Sequence, residues 1–384
     1  MNDKIKMLEN SRQHFRQVKT PTKNRPLGKT SPIVWSIEPA FGCNLQCGHC
    51  CADLINKKDN HIMKQDVWKA TFNILNEVSP YVRVDLCGFV GEPTLNPNLL
   101  NFLQIARKIA PYAQIQITTN GTKIRSGAYT MKDLLDAGAN ILYIDQYGGH
   151  TKFEHLADES GYPWYQYYDA PKDAPTPWRY WSPDQKIIVL MEEPSMWPQS
   201  RLKSGLLGNW YGNINWKRGE AQKKFNMRPL LKPLTRRCNQ PFLYVTVSSE
   251  GDYLLCCQDG LQVTKGKFGN VLDGIKGFKK FWYGKEIQLI RRRLRYKNRA
   301  DTHYACQKCN ITFSRCDFRH WELDKIKKWY DGEKWYNLKD DDNVGRFDRA
   351  GEIKDNIFVE QRKLHLYDAK LGMEENITNS EVRS

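Results

Sequence analysis

"EPAFGCNLQCGHCCADL", running from Glu38 to Leu54, places four cysteines within nine residues of a chain that has eleven in all. Cys43, Cys47 and Cys50 are spaced C-x3-C-x2-C, and Cys51 abuts Cys50 and so points away from whatever the other three share. The loop follows directly on "PIVWSIEP" (Pro32–Pro39), an apolar, β-branched run that predicts a strand. Three thiolates on one loop suit three irons of a [4Fe–4S] cube, with the fourth iron left open because no fourth cysteine closes it. The bland alternative is zinc, which wants four tetrahedral ligands and would recruit His49.

Working outward, the loop opens a series of alternating elements. "MKQDVWKATFNILNEV" (Met63–Val78) has apolar residues at helical spacing, and "VRVDLCGF" (Val82–Phe89) reads as a strand. "NPNLLNFLQIARKIA" (Asn96–Ala110) predicts a helix with Asn96 as N-cap and Pro97 at its first position. "QIQITTNG" (Gln114–Gly121) predicts a strand, "TMKDLLDAGA" (Thr130–Ala139) a helix stopped by Gly138, and "NILYIDQYG" (Asn140–Gly148) another strand. Such alternation implies parallel βα units. The pattern fails in the aromatic, proline-rich Tyr162–Trp181, and "KIIVLMEEP" (Lys186–Pro194) resumes it with one more buried strand. "PFLYVTVSSEGDYLLCC" (Pro241–Cys257) alternates as a β-hairpin turning at Glu250-Gly251-Asp252, and Gly277–Tyr296 reads as one helix.

Composition bounds the class. At 384 residues, 40% hydrophobic and 12% aromatic, the chain is globular, with room for two domains. No run approaches the eighteen apolar residues of a membrane span, and the N-terminus lacks the apolar core of a secretory signal. The expectation is a soluble, cytoplasmic protein with no membrane partner, in which clustered thiols are metal ligands or catalytic groups. The net charge of +16 gathers partly in the first thirty residues and partly in "IRRRLRYKNR" (Ile290–Arg299). Either these are a solvated helix and a basic tail, or they favour an anionic partner such as nucleic acid.

The cysteine loop resembles the signature of the radical S-adenosylmethionine (SAM) superfamily. That resemblance implies a SAM-binding [4Fe–4S] cluster on Cys43, Cys47 and Cys50, a 5′-deoxyadenosyl radical and hydrogen abstraction from substrate. "VGEP" (Val90–Pro93) is similar to the family's GGEP motif, so Gly91, Glu92 and Pro93 are expected at the SAM ammonium, with Glu92 as its carboxylate. "TTNG" (Thr118–Gly121) and "YIDQ" (Tyr143–Gln146) stand where relatives meet the ribose and methionyl carboxylate, which brings in Asn120 and Asp145. His49 occupies the family's aromatic position before the third cysteine.

The second cysteine group has Cys238, then Gly251 and Cys256 as C-x12-G-x4-C, a C-x2-C at Cys306 and Cys309, and Cys316 beyond. With "GNV" at Gly269 and the helix after it, this resembles the family's C-terminal SPASM/twitch extension. Six cysteines are too few for two further clusters. The resemblance therefore implies one auxiliary [4Fe–4S] cluster on Cys238, Cys256, Cys306 and Cys309, with zinc there as the alternative, Cys257 abutting Cys256, and Cys316 a spare thiol or substitute ligand. The expected fold is α/β: a partial (β/α)6 TIM-like barrel with a small C-terminal α+β iron–sulfur domain. The expected boundaries are a basic arm over 1–31, the barrel over 32–216, the auxiliary domain over 217–321 and a tail over 322–384.

Three functions stay open on the sequence. The leading one is a two-electron oxidation of a small polar molecule, sugar- or aminocyclitol-like, or of a peptide, with an external electron donor such as flavodoxin or ferredoxin. The others are a radical SAM enzyme modifying nucleic acid, and a non-catalytic iron–sulfur protein that kept the fold.

Overall fold

The strand that leads into the cysteine loop sits inside the sheet it helps to build. In a computed structural model, which describes residues 32, 34–45, 47, 50–55, 60–80, 82–87, 91–146, 153–166, 186–191, 238, 240–295 and 299–309, β1 (Val34–Ile37) ends just before Glu38. A two-stranded clip of β2 (Ala40–Phe41) and β3 (His61–Ile62) flanks the loop. From β1 the sheet continues in parallel through β4 (Arg83–Leu86), β5 (Gln114–Thr119), β6 (Ile141–Asp145) and β8 (Ile187–Met191) to the edge strand β7 (Trp164–Gln166). The helices of this region are α1 (Gln65–Val78), α2 (Leu99–Ile109), the short α3 (Thr122–Arg125), α4 (Met131–Asp136) and α5 (Glu154–Ser160). These six parallel strands with their crossover helices form the expected partial βα barrel.

On the other side of β1 the sheet is extended from the second cysteine region. β9 (Tyr244–Val247) follows α6 (Gln240–Leu243) and pairs in parallel with β1, Val34 opposite Tyr244. β10 (Tyr253–Leu254) completes the expected hairpin, antiparallel to β9. The auxiliary region is thus joined to the barrel through its own sheet.

Side chains alternate across each strand. Trp35, Ile37, Val84, Leu86, Ile115 and Ile117 lie on the helix side and are fully buried. The indole of Trp68 on α1 meets Phe72 and Phe102 with centroids 4.7 and 4.9 Å away, and its Nε1 donates to the Phe102 carbonyl at 2.8 Å. Behind β1, Trp35 stacks on Phe278 of α7 (Gly274–Trp282) at 5.6 Å.

Two expectations are corrected. Asn96 does not cap the second helix. That helix starts at Leu99 with Asn98 as its cap, while Asn96 accepts from the Asn98 amide at 2.9 Å and donates to the Pro39 carbonyl at 3.0 Å. Its side chain serves to tie the turn to the chain entering the cysteine loop. The single helix expected over Gly277–Tyr296 is two, α7 and α8 (Lys285–Arg295). The break falls at Gly284, where a Cβ would stand 2.0 Å from the Lys280 carbonyl oxygen. The basic arm, residues 167–181 of the aromatic segment, His49, Cys316 and the tail lie outside the described residues. Among the described residues no helix is long and apolar enough to cross a membrane.

Candidate functional site

The cysteine loop leaves the clip through Gly42. Its φ of +102° is a conformation only glycine holds cheaply. The Gly42 carbonyl accepts the Glu92 amide at 2.9 Å, which joins the loop to the turn after β4. Beyond it, Cys43 Sγ accepts the Leu45 amide at 3.4 Å and the Asn120 side-chain amide at 3.5 Å, and Cys50 Sγ accepts the Ala52 amide at 3.4 Å. A 2.8 Å bond from the Cys50 amide to the Cys47 carbonyl folds the turn between the last two thiols. N–H groups aimed at sulfur favour the thiolate, the form that ligates iron. Against them, burial pushes the Cys43 thiol up, with the charges of Glu92 and Cys50 adding to it. Cys43, Cys47 and Cys50 are half-buried, whereas Cys51 is wholly buried and its thiol is driven far up by desolvation. Burial likewise pushes Cys87 up to about 12.

Glu92 is the hub of the turn. Its carboxylate, in a residue 3% exposed, accepts from the Thr94 amide at 3.0 Å and the Thr94 and Thr119 hydroxyls at 2.6 Å, all at Oε1. Oε2 accepts the Asn120 amide at 2.8 Å. Burial raises the carboxyl, and those four donors work against the rise. The Asn120 side chain runs on to Asn44 Oδ1 at 3.0 Å, and Asn44 reaches the Thr122 hydroxyl at 2.7 Å. Glu92, Asn120 and Cys43 are therefore brought together in one network. Thr94, Thr119 and Asn44 complete it; Thr119 lies within the "TTNG" stretch, and no local pattern in the sequence marks Thr94 or Asn44. Pro93 opens a short 3-10 turn next to the half-buried Gly91, while Asp145 ends β6 on the same face as Tyr143.

The second cysteine group also gathers. Cys238 precedes α6, Cys256 follows β10, and Cys306 and Cys309 lie in and at the end of α9 (Tyr304–Lys308). Cys256, Cys306 and Cys309 are buried, and Cys256 and Cys309 pack around Ala305. Burial pushes the Cys306 thiol well up, Cys256, Cys238 and Cys309 add to the rise, and Arg299 opposes it. Cys257 instead points its thiol to Gln240 Oε1 at 3.7 Å. Among the described residues no three Cys, His, Asp or Glu side chains are grouped as one metal ion would need. A cube is held from further out, one thiolate per iron, and the donor sets, three thiols at one place and four at the other, fit that chemistry.

The sheet face away from the helices is polar where it adjoins both cysteine groups. In register across β9, β1, β4 and β5 lie Thr246, Ser36, Asp85 and Gln116. Arg83 pairs with Asp85 at 2.7 Å and donates to Gln116 Oε1 at 2.9 Å, and Gln116 donates to the Thr118 hydroxyl at 3.0 Å. Glu38, fully buried, accepts Gln262 Nε2 at 2.7 Å, and burial pushes its carboxyl up to about 8. Glu38 Oε1, both amide atoms of Gln114 and the Thr246 hydroxyl are buried with no hydrogen-bond partner among the described residues. Across β6 and β8 the same face carries Ile141, Tyr143 and Asp145 and then Ile187, Val189 and Met191, apolar but for Tyr143 and Asp145 at the end of β6.

Two family models match the chain: the radical SAM superfamily over residues 37–174 and the SPASM iron–sulfur cluster-binding domain over residues 238–310. Among solved structures, BtrN in complex with AdoMet and 2-DOIA superposes with a TM-score of 0.53 at 19% identity, covering 73% of this chain and 94% of that one. Streptococcus suis SuiB bound to precursor peptide SuiA gives a TM-score of 0.42 at 17% identity, over 74% and 71% of the two chains. anSMEcpe with bound AdoMet gives 0.40 at 16% identity, over 78% and 96%. No curated protein matches the sequence.

Proposed function

We propose, for a chain that belongs to the radical SAM superfamily and carries a SPASM domain, a two-electron oxidation of a small polar molecule or of a peptide. It is an enzyme that uses SAM and iron–sulfur clusters. A cluster bound at the first cysteine loop would supply the electron that cleaves SAM, and so a means of removing hydrogen from carbon. Cys43, Cys47 and Cys50 are the residues to hold that cluster. Gly42 and the Glu92 network hold their loop against the turn after β4. Gly91, Glu92, Pro93, Asn120, Asp145 and His49 are the proposed SAM contacts. Oε2 of Glu92 accepts one bond from the described residues, and a carboxylate oxygen takes two, so one acceptor site remains for the SAM ammonium. Cys238, Cys256, Cys306 and Cys309 are the proposed auxiliary ligands.

The observation that carries the polar-substrate reading is the inner face of the sheet. Unpartnered buried polar atoms cost about 1–3 kcal/mol each. Such atoms on Glu38, Gln114 and Thr246 favour a ligand rich in hydroxyl or amine groups. The basic run lends a nucleic-acid substrate little support. Arg291 is 1% exposed, donates to the Pro241 carbonyl at 2.7 Å and lies 4.0 Å over the Trp282 ring, and Arg299 is 2% exposed. An external flavodoxin- or ferredoxin-type donor would supply the electron.

The test is deuterium transfer into 5′-deoxyadenosine by the anaerobically reconstituted full chain, offered carbon-deuterated polyols, amino sugars, peptides and RNA. Label from a polyol, amino sugar or peptide, with an oxidised product, supports the reading. Label from RNA alone overturns it.

A further inference from the structure

We propose that Arg299 is a positioning residue of the auxiliary centre: a fixed, buried cation that raises the reduction potential of the cluster held by Cys238, Cys256, Cys306 and Cys309. The proposal rests on that ligand set. In the sequence, Arg299 closes a basic run that reads as a solvated surface. In the fold it is 2% exposed, in the turn that leads into α9, and its Nη1 donates to the main-chain carbonyl of Cys309 at 3.2 Å. It thus stands against the last ligand residue of the group.

A guanidinium does not lose its proton in a protein, and burying one is costly unless negative charge lies near. Four thiolates around a cube supply such charge, and reduction by one electron adds to it. A cation at short range therefore stabilises the reduced state more than the oxidised one. Net charge and hydrogen bonding near the sulfurs are recognised levers on such potentials. A centre poised in this way takes an electron more readily, which suits it to accept one from a substrate radical left by hydrogen abstraction.

The test uses the full-length chain with Cys43, Cys47 and Cys50 replaced by alanine, so that only the auxiliary centre is loaded. It needs no SAM or substrate, so its outcome is separate from that of the functional reading. Iron is assayed, and the midpoint potential is read by an EPR-monitored redox titration. Arg299→Gln should keep about four irons and lower the reduction equilibrium at least tenfold, a fall of 59 mV for one electron. Arg299→Lys should recover most of the loss. Full iron with an unmoved midpoint in Arg299→Gln overturns the proposal. If Arg299→Gln loses its iron, Arg299→Lys decides. Iron and midpoint near the parent's support a charge role. Iron lost there too, or retained with a midpoint far below the parent's, overturns it in favour of a hydrogen-bonding scaffold.

Discussion

Replacing Glu92 with glutamine tests the hub that joins the cysteine loop to the strand ends. The carboxylate receives four donors, three at Oε1 and one at Oε2. An amide has one acceptor oxygen. Its least damaging orientation keeps that oxygen at the Oε1 position and turns its NH2 against the Asn120 amide, donor facing donor. One buried bond is lost and its N–H is left unpaired, a cost of about 1–3 kcal/mol. The three remaining bonds weaken because their acceptor is no longer charged, while relief of carboxylate desolvation offsets part of the loss. The net expectation is about 2 kcal/mol, or a fall in Tm of about 4 °C. Asn120 touches Cys43 Sγ at 3.5 Å, so the loop should loosen with it, and SAM should bind on the order of tenfold more weakly. Thr119→Val removes one donor to the same carboxylate, and the double mutant should show coupling of about 1 kcal/mol. The assays are anaerobic thermal unfolding, iron content and a SAM titration. Unchanged Tm with unchanged SAM affinity refutes the hub. Weakened SAM binding at unchanged Tm means the carboxylate acts on the ligand directly and not through Asn120.

Glu38 makes stability depend on pH in the direction opposite to a salt-bridged carboxylate. Its pKa rises from 4.5 to about 8 on folding, so between those values the unfolded chain ionises while the folded one keeps its proton. Stability is full below pH 4.5 and is lost as pH rises towards 8, by up to about 1.4 kcal/mol per unit. Tm should be lower at pH 8 than at pH 6, and Glu38→Gln should flatten the slope; an unaltered slope contradicts this. Gln262 holds a φ of +53° to bring its amide to Glu38 across 224 residues. Gln262→Ala keeps that backbone cost, roughly 1–3 kcal/mol, and loses the bond. Gln262→Gly loses the bond but sheds the strain, so alanine should destabilise more than glycine in denaturant unfolding. The reverse order would show that the loop relaxes freely.

The parts of this molecule that are written locally were legible in the sequence. The C-x3-C-x2-C spacing, the period-2 strands and the helical faces of α1 and α2 each depend on residues within a turn or two of one another. The hub of Glu92 was legible only as a motif. Its partners Thr119 and Asn120 lie 27 and 28 residues away, and what they do to the carboxylate follows from strand register. The parallel pairing of β9 with β1 joins residues some 210 apart, which no periodicity encodes. The basic run misled in the same way. Composition places arginine at the surface, and only packing against Trp282 and Cys309 shows that Arg291 and Arg299 are spent inside. The break at Gly284 was hidden because the apolar period runs through it.

If Cys43, Cys47 and Cys50 hold a cluster that cleaves SAM, the products of that cleavage depend on all three thiols. The most direct measurement is the yield of 5′-deoxyadenosine and methionine from the anaerobically reconstituted chain given SAM and dithionite, beside the variant with all three cysteines changed to alanine. The parent chain should give both products in equal amounts. The variant should give neither and should keep about half of the roughly eight irons of the parent. Cleavage that survives the loss of the three thiols, or a fully loaded parent that leaves SAM intact, would contradict that assignment.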